Sequence, residues 1–135
     1  MILNHLDLYV PDVSATRTFF EQHFGLRHHV TRGADRLAVL YDDAGLELVI
    51  SQPISKLGGA EQVALDVTTY HIGFRLPSTD DVDAVFLGLQ AGDGQQVDPP
   101  RTMRGRYLFY CLAPGNILVE VSASSHEDVQ PRGHE

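Results

Sequence analysis

Residues 5–11 read His-Leu-Asp-Leu-Tyr-Val-Pro, and residues 71–77 read His-Ile-Gly-Phe-Arg-Leu-Pro. Both stretches follow the pattern histidine, apolar, variable, apolar, variable, apolar, proline. The histidines (71 − 5) and the prolines (77 − 11) are each 66 positions apart. An alternation with a period of two predicts a half-buried strand, and the proline predicts its end because proline has no N–H for the ladder. The sequence therefore predicts two copies of one structural module.

A helix is predicted after each of these two strands. The predicted N-caps are Asp12 or Ser14 for the first helix and Ser78 or Thr79 for the second. Gly25 is predicted to end the first helix, and Gly92 and Gly94 are predicted to end the second. Side chains for one buried face recur at helical spacing, at Val13, Thr16, Phe20 and Phe24 and at Val82, Val85, Phe86 and Leu89.

Three further strands are predicted in each copy. They span residues 28–31, 37–41 and 46–51 in the first copy, and residues 96–98, 106–112 and 117–122 in the second. The last two strands of each copy are separated by a glycine-containing turn, at 42–45 and at 113–116. Each copy therefore reads β-α-β-β-β, and the predicted class is α+β.

The length of 135 residues fits a single domain. We predict that this domain spans residues 1–123, with module one at 1–53, a linker at 54–68 and module two at 69–123. Residues 124–135 are polar and non-periodic, so they are predicted to form a disordered tail.

The composition limits the function and the location. A net charge of −8 argues against nonspecific nucleic-acid binding, which depends on Lys and Arg. The chain has no apolar run of the roughly 18 residues needed to span a membrane and no basic, apolar N-terminal signal, so it is predicted to be cytoplasmic. The single cysteine, Cys111, is compatible with a reducing compartment. The short basic run of Arg101, Arg104 and Arg106 is interpreted as a solvated loop and strand, in preference to an anion site.

The repeat places metal-ligand residue types on matching strand faces. By alternation, His5 and His71 at the first strands and Glu47 and Glu120 on the last strands all face away from the helices. Two imidazoles and a carboxylate suit one divalent cation per site (Fe, Mn, Ni, Co or Zn) and leave positions open for a substrate. A single such histidine or glutamate is more often merely hydrogen-bonded or solvated. The duplication favours His5, His71 and Glu120, and Glu47 is left open as a fourth ligand.

The other histidines are interpreted as structural or solvated: His23, His28, His29, His126 and His134. His28 and His29 are adjacent, so in a regular strand they point to opposite faces and cannot readily share a site.

At these residues the sequence resembles the vicinal oxygen chelate superfamily. This group includes glyoxalase I, extradiol ring-cleaving dioxygenases, fosfomycin-resistance thiol transferases and bleomycin-resistance proteins. The resemblance extends from Leu3 to about Ala123, and it is carried by residues 4–10, 19–20, 24–26, 70–74 and 114–121. It implies two βαβββ modules forming an open U-shaped sheet around a central cavity, and it implies homodimers for short chains.

The resemblance also implies roles for individual residues. His5, His71 and Glu120 match the metal ligands of the superfamily, and Glu47 matches the fourth ligand of glyoxalase I. Glu47 or Glu120 would also act catalytically by moving a proton between neighbouring carbons. The candidate substrate contacts are Asp7, Tyr9, Arg75 and Tyr107.

Three functions are compatible with this set. The first is a metal-dependent glyoxalase-like lyase or isomerase acting on a small substrate with vicinal oxygens. The second is an Fe(II) extradiol-type dioxygenase, and the third is a metal-free drug-binding protein of the bleomycin-resistance kind. The intact set of two histidines and a glutamate counts against the third. A Glu47 bound to the metal favours the first, and a disengaged Glu47 favours the second.

Overall fold

The computed structural model describes residues 1–52, 70–92 and 97–125. Several predictions lie outside these residues: the linker at 54–68, the helix-closing role of Gly94, and the tail beyond residue 125 with His126 and His134. Within the described part of the chain, no helix is long and apolar enough to cross a membrane.

The chain divides into two compact units. Unit one comprises Met1–Val67 with Ala113–Asn116, and unit two comprises Thr68–Leu112 with Ile117–Glu135. Among its described residues, each unit contains one four-stranded sheet and one helix in the order β-α-β-β-β, and neither of these sheets is closed. The predicted α+β fold of two βαβββ modules is therefore confirmed.

Unit one contains a mixed sheet. Its elements are β1 (His5–Tyr9), α1 (Val13–Phe24), β2 (Arg27–Arg32), β3 (Leu37–Tyr41) and β4 (Glu47–Ser51). The strand order is β1-β4-β3-β2, with β1 parallel to β4 and the other neighbours antiparallel. The Val10 N–H donates to the Ser51 carbonyl at 2.9 Å, which continues the β1–β4 ladder by one residue.

Unit two repeats this arrangement. Its elements are β5 (Ile72–Arg75), α2 (Thr79–Gln90), β6 (Arg101–Met103), β7 (Arg106–Ala113) and β8 (Ile117–Ser124). The strand order is β5-β8-β7-β6, with β5 parallel to β8. The Leu76 N–H donates to the Ser122 carbonyl at 2.8 Å, and this bond matches the one between Val10 and Ser51.

Helix α1 begins and ends as predicted. Asp12 is its N-cap and accepts a hydrogen bond from the Ala15 N–H at 3.0 Å, which satisfies one of the free N–H groups of the first turn. Gly25 ends the helix in the left-handed conformation, with φ +66°. The buried face consists of Val13, Thr16, Phe19 and Phe20, whereas Phe24 is only partly buried.

Helix α2 begins as predicted but ends differently. Ser78 is its N-cap and accepts a hydrogen bond from the Asp81 N–H at 3.2 Å. The helix ends at Gln90, with Ala91 as a right-handed C-cap, so the predicted closure by Gly92 is wrong. The helix packs its buried Val82 and Leu89 into the unit.

Three strand predictions need correction. In unit two the predicted strand at 96–98 is wrong: among the described residues, that region gives one isolated bridge, from Val97 to Cys111, and the strand is formed by Arg101–Met103. The cause is non-local, because β6 exists only through its pairing with β7.

In unit one, β2 contains a bulge with His29 as its extra residue, so simple alternation does not hold there. Strand β8 extends to Ser124, and Ser125 is buried and donates its N–H to the Gly105 carbonyl, so the predicted tail at 124–135 begins too early.

Candidate functional site

Unit one places a predicted histidine beside a predicted glutamate. His5 opens β1, and its partner in the register with β4 is Glu47. The Nδ1 of His5 lies 2.8 Å from the Oδ1 of Asn4. With Asn4 as the acceptor, Nδ1 carries the proton and Nε2 keeps a free lone pair, which is the tautomer that binds a metal through Nε2.

A tyrosine holds the glutamate of unit one. The Tyr41 Oη donates to the Glu47 Oε1 at 2.9 Å, and the two residues are direct partners across β3 and β4. This hydrogen bond raises the pKa of Tyr41, with smaller contributions from burial and from the negative charge of Glu47. The ring of His29 packs edge-on against Tyr41, with centroids 5.4 Å apart. His29 therefore contacts the tyrosine that holds Glu47.

Unit two also places a predicted histidine beside a predicted glutamate. The Nε2 of His71 lies 3.9 Å from the Oε1 of Glu120, and their side chains are 44% and 23% exposed. The Tyr110 Oη donates to the same Oε1 at 2.9 Å, and the His71 and Tyr110 rings meet edge to face with centroids 5.7 Å apart. The hydrogen bond to Glu120 is the main cause of the raised pKa of Tyr110.

A glycine leaves space beside the carboxylate of unit two. Gly73 is the register partner of Glu120. A Cβ at this position would lie 3.7 Å from the Glu120 Oε2. Any longer side chain on the same face would extend toward that oxygen, so Gly73 keeps Oε2 accessible.

The two glutamates occupy different register positions. His5 pairs with Glu47, and the next pair is Leu6 with Leu48. After His71, the corresponding pair is Ile72 with Val119, and Glu120 comes one residue later, opposite Gly73. Glu47 therefore corresponds to Leu118, and Glu120 corresponds to Val49. The offset of two residues keeps both glutamates on the face away from the helix, but they do not occupy equivalent positions of the repeat.

The structure thus brings the four predicted ligands together as two pairs, one in each unit. Within residues 1–52, 70–92 and 97–125, no group of three or more His, Cys, Asp or Glu is arranged to hold a metal ion. The convergence of His5, His71 and Glu120 on one cation stays a prediction.

The predicted substrate contacts have different surroundings. The Asp7 carboxylate accepts a hydrogen bond from the buried Ser51 hydroxyl at 2.6 Å. Tyr9 and Arg75 are exposed. Tyr107 donates its hydroxyl to Asp83 of α2 at 2.6 Å, so it lies on the helix side of its sheet. We therefore do not retain Tyr107 as a substrate contact.

Sequence patterns alone did not single out Tyr41 and Tyr110. Each tyrosine is the fifth residue of the strand that precedes the glutamate-bearing strand. Tyr41 is also the last residue of its strand, just before the turn. The available signal was the recurrence of a tyrosine on the penultimate strand of both copies. Its pairing with the glutamate depends on cross-strand register, which strand periodicity does not give.

A family model described as the Glyoxalase/Bleomycin resistance protein/Dioxygenase superfamily matches residues 2–121. The chain belongs to this superfamily. The match covers both histidines, both glutamates and both tyrosines of the two pairs, and it confirms the resemblance seen in the sequence. Comparison with curated proteins gave no match.

Solved structures of the superfamily share the fold. A possible glyoxalase from Bacillus cereus is 36% identical, with a TM-score of 0.75, over 90% of this chain and 97% of that chain. The fosfomycin resistance protein FosX from Listeria monocytogenes, in complex with Mn(II) and sulfate, is 23% identical, with a TM-score of 0.73 and 94% of each chain covered. A lactoylglutathione lyase from Agrobacterium tumefaciens is 20% identical, with a TM-score of 0.65 over 90% of this chain and 92% of that chain. At 23% and 20% identity, the likeness to FosX and to the lactoylglutathione lyase concerns the fold alone.

The donor chemistry of both pairs fits the divalent metal that the superfamily implies. Imidazole nitrogen and carboxylate oxygen are ligands for Mn, Fe, Co, Ni and Zn. Two donors that each bind one cation at about 2 Å are at most about 4 Å apart. The 3.9 Å between the His71 Nε2 and the Glu120 Oε1 lies within that limit. The partial exposure of both side chains leaves them accessible to a cation.

Proposed function

We propose that this protein is a metal-dependent glyoxalase-like lyase or isomerase that acts on a small substrate with vicinal oxygens. One divalent cation (Fe, Mn, Ni, Co or Zn) would be bound by His5, His71 and Glu120. The observation that carries the proposal is the pairing of His71 with a tyrosine-held Glu120 in unit two. The cation would polarise the substrate oxygens and stabilise negative charge that develops on them.

The register offset supports different roles for the two glutamates. Glu120 lies beside His71 and acts as a ligand. Glu47 occupies the position equivalent to Leu118, so it is not the repeat counterpart of that ligand. We assign Glu47 the role of a fourth ligand that leaves the cation to transfer a proton: its carboxylate would accept a proton from one substrate carbon and return it to the neighbouring atom. Tyr41 orients this carboxylate by holding Oε1, and Asp7, Tyr9 and Arg75 remain candidate contacts for the substrate.

The same offset also favours a second candidate. If Glu47 is disengaged from the metal, the ligands are two histidines and one carboxylate, which is the set used by non-haem Fe(II) oxygenases. An Fe(II) extradiol-type dioxygenase is therefore the alternative. A metal-free drug-binding protein is the outcome if no cation binds.

We also propose that the protein is a cytoplasmic homodimer, as short chains of this superfamily often are. Cys111 is buried and burial raises its pKa to about 12, so it remains a thiol, which is compatible with a reducing compartment. Light scattering that shows a monomer at micromolar concentration would contradict the dimer.

Metal-induced stabilisation tests the proposed function. Addition of Mn(II) at about 100 times its dissociation constant should stabilise the folded protein by roughly 2.7 kcal/mol and raise its melting temperature by several degrees. His71→Ala should abolish most of this rise. His28→Ala should retain it, since His28 is exposed and bonded only to Thr31 among the described residues. The rise should fade below about pH 6, because protons compete with the cation for imidazole nitrogen.

Comparison of His71→Ala with His28→Ala shows whether the rise in melting temperature depends on His71. Equal responses from the wild type and His71→Ala would place the metal elsewhere. No response in any variant, with Mn(II), Fe(II), Ni(II), Co(II) or Zn(II), would leave the drug-binding function as the better explanation.

A further inference from the structure

Unit one has a second histidine on the sheet face that carries Glu47. His29 is an exposed residue of β2, and its ring packs edge-on against the ring of Tyr41, with centroids 5.4 Å apart and an angle of 72° between the ring planes. Tyr41 in turn donates its hydroxyl to the Glu47 Oε1 at 2.9 Å. The contact therefore links His29 to the carboxylate of Glu47 through one side chain.

The bulge in β2 brings His29 to this face. His28 is the register partner of the fully buried Leu40, and the register shifts before Val30 pairs with Val39. His29 is the extra residue between these two pairs. A bulge re-aims a side chain in this way, and bulges are over-represented next to active sites.

The neighbouring histidine lies on the opposite face. The Nε2 of His28 lies 2.7 Å from the Thr31 Oγ1, and Thr31 also accepts a hydrogen bond from Arg17 of α1 at 3.5 Å. His28 therefore belongs to the helix side of the sheet. The two adjacent histidines thus form a matched pair, with one on each face.

Unit two contains the same arrangement of histidine, tyrosine and glutamate. The rings of His71 and Tyr110 meet at 88° with centroids 5.7 Å apart, and the Tyr110 hydroxyl bonds to its glutamate at 2.9 Å, as in unit one. His71 has two contacts there, because its Nε2 also lies 3.9 Å from the glutamate. In unit one these contacts belong to two histidines: His5 is the register partner of the glutamate, and His29 packs against the tyrosine.

The contact with His29 bears on the direction of the Tyr41 hydroxyl. The hydroxyl lies on the axis of the ring, so the orientation of the ring determines whether it reaches Glu47. An edge-on contact is favourable because the positive edge of one ring meets the negative face of the other. His29 therefore favours the ring orientation in which Tyr41 donates to Glu47.

We propose that His29 is a positioning residue of the site: its contact with Tyr41 holds the ring so that the hydroxyl stays bonded to the Glu47 Oε1. The inference rests on the proposed function, because Glu47 is the carboxylate that would transfer the substrate proton. A carboxylate held at one oxygen presents its other oxygen to the cation or to that proton. Loss of the His29 ring would loosen this carboxylate without removing it.

A double-mutant cycle in the metal-free, full-length protein tests the contact, with equilibrium constants for unfolding measured by urea denaturation. Tyr41→Phe removes the hydroxyl but keeps the ring, so in the wild-type background it should raise this constant by roughly two- to tenfold. In the His29→Ala background the same change should have little effect, because the hydroxyl is no longer held on Glu47. Ring packing alone would give equal factors in both backgrounds, since phenylalanine keeps the ring that His29 contacts.

Two further backgrounds serve as controls. His29→Phe keeps an aromatic ring against Tyr41, so Tyr41→Phe should have its full effect there. His28→Ala removes the adjacent histidine on the helix side, and the full effect should also remain. Equal effects of Tyr41→Phe in the wild type and in His29→Ala, or no effect in the wild type, overturn the proposal. Loss of the effect in His29→Phe or in His28→Ala as well as in His29→Ala also overturns it.

Mn(II) titration separates this result from the test of the proposed function. With Glu47 as a fourth ligand, His29→Ala should weaken Mn(II) binding by up to about tenfold, and the loss should disappear in the Tyr41→Phe background. Coupling of His29 and Tyr41 in a protein that binds no Mn(II) would support the positioning role and overturn the proposed metal enzyme. Absence of coupling in a protein that binds Mn(II) would overturn the positioning role and leave the metal enzyme standing.

Discussion

At the scale of single residues, two tyrosine hydroxyls define the chemistry of the two glutamates. Tyr41 and Tyr110 each donate to Oε1 of a glutamate on the neighbouring strand. Both tyrosines have raised pKa values for the same main cause, the hydrogen bond to the carboxylate, so their hydroxyls keep their protons and remain donors at neutral pH. Each carboxylate is therefore held at one oxygen by a tyrosine hydroxyl. In metal sites, hydrogen bonds from residues that do not touch the metal orient the carboxylate ligands in this way.

Removal of the Tyr110 hydroxyl tests this role. Tyr110→Phe should lower the Mn(II) affinity by roughly 10- to 100-fold, because the carboxylate of Glu120 loses the bond that orients it. The matched control is Tyr107→Phe, which removes a similar bond to Asp83 on the helix side of the sheet. The control should cost about 1 kcal/mol of stability and leave Mn(II) affinity unchanged. Mn(II) titration of both variants is the measurement, and equal losses of affinity would contradict the role of Tyr110.

The residue types of the site could be predicted from the sequence, but their register could not. Repetition singled out His5, His71 and Glu120 because the same residue types recur on strands of the same face. The offset between Glu47 and Glu120 is a property of strand pairing, and a shift of two residues leaves the alternation unchanged. The face on which Arg101 and Arg106 lie likewise depends on their strand's pairing, which periodicity does not give.

At the scale of elements, short sequence patterns predicted the helix ends and strand bounds that depend on interactions between neighbouring residues. Strand β3 has the predicted bounds, and α1 has a predicted cap at each end, because alternation, an N-cap carboxylate and a left-handed glycine act within a few residues. Strand β6 was missed because its three residues, Arg101–Met103, have no apolar alternation and follow Pro99 and Pro100. A short edge strand of this kind is fixed by its neighbour rather than by its own sequence.

Two glycines should respond to alanine in opposite directions. Gly115 lies in the turn before β8 with φ +86°, and a Cβ there would contact Pro11 and Val10 at 3.4 Å within unit one. Gly115→Ala should therefore destabilise the protein by about 1–3 kcal/mol. Gly88 is an exposed residue of α2 with open space around its Cβ position, so Gly88→Ala should stabilise it by up to about 1 kcal/mol.

Urea denaturation of the two variants measures this difference. A Gly115→Ala variant with an unchanged free energy of unfolding would show that the turn at Ala113–Asn116 tolerates another conformation. Such a result would remove the strained turn as a reason for the glycine at this position.

At the scale of the whole molecule, the chain is a duplicated βαβββ module with one imidazole–carboxylate pair in each unit. Neither pair alone supplies the three ligands that hold a cation firmly while leaving positions open for a substrate. Under the proposed function, each copy would contribute donors to one cation.

A crystal structure of the protein soaked with Mn(II), with anomalous data collected near the manganese edge, tests the metal centre most directly. One strong anomalous peak per chain is expected, with the imidazole nitrogens of His5 and His71 and the carboxylate of Glu120 each about 2 Å away. A Glu47 carboxylate within bonding distance of the peak would favour the lyase or isomerase, and a Glu47 carboxylate outside it would favour the Fe(II) dioxygenase. A peak that lacks His5 or His71, or the absence of any peak at saturating Mn(II), would contradict the proposed metal centre.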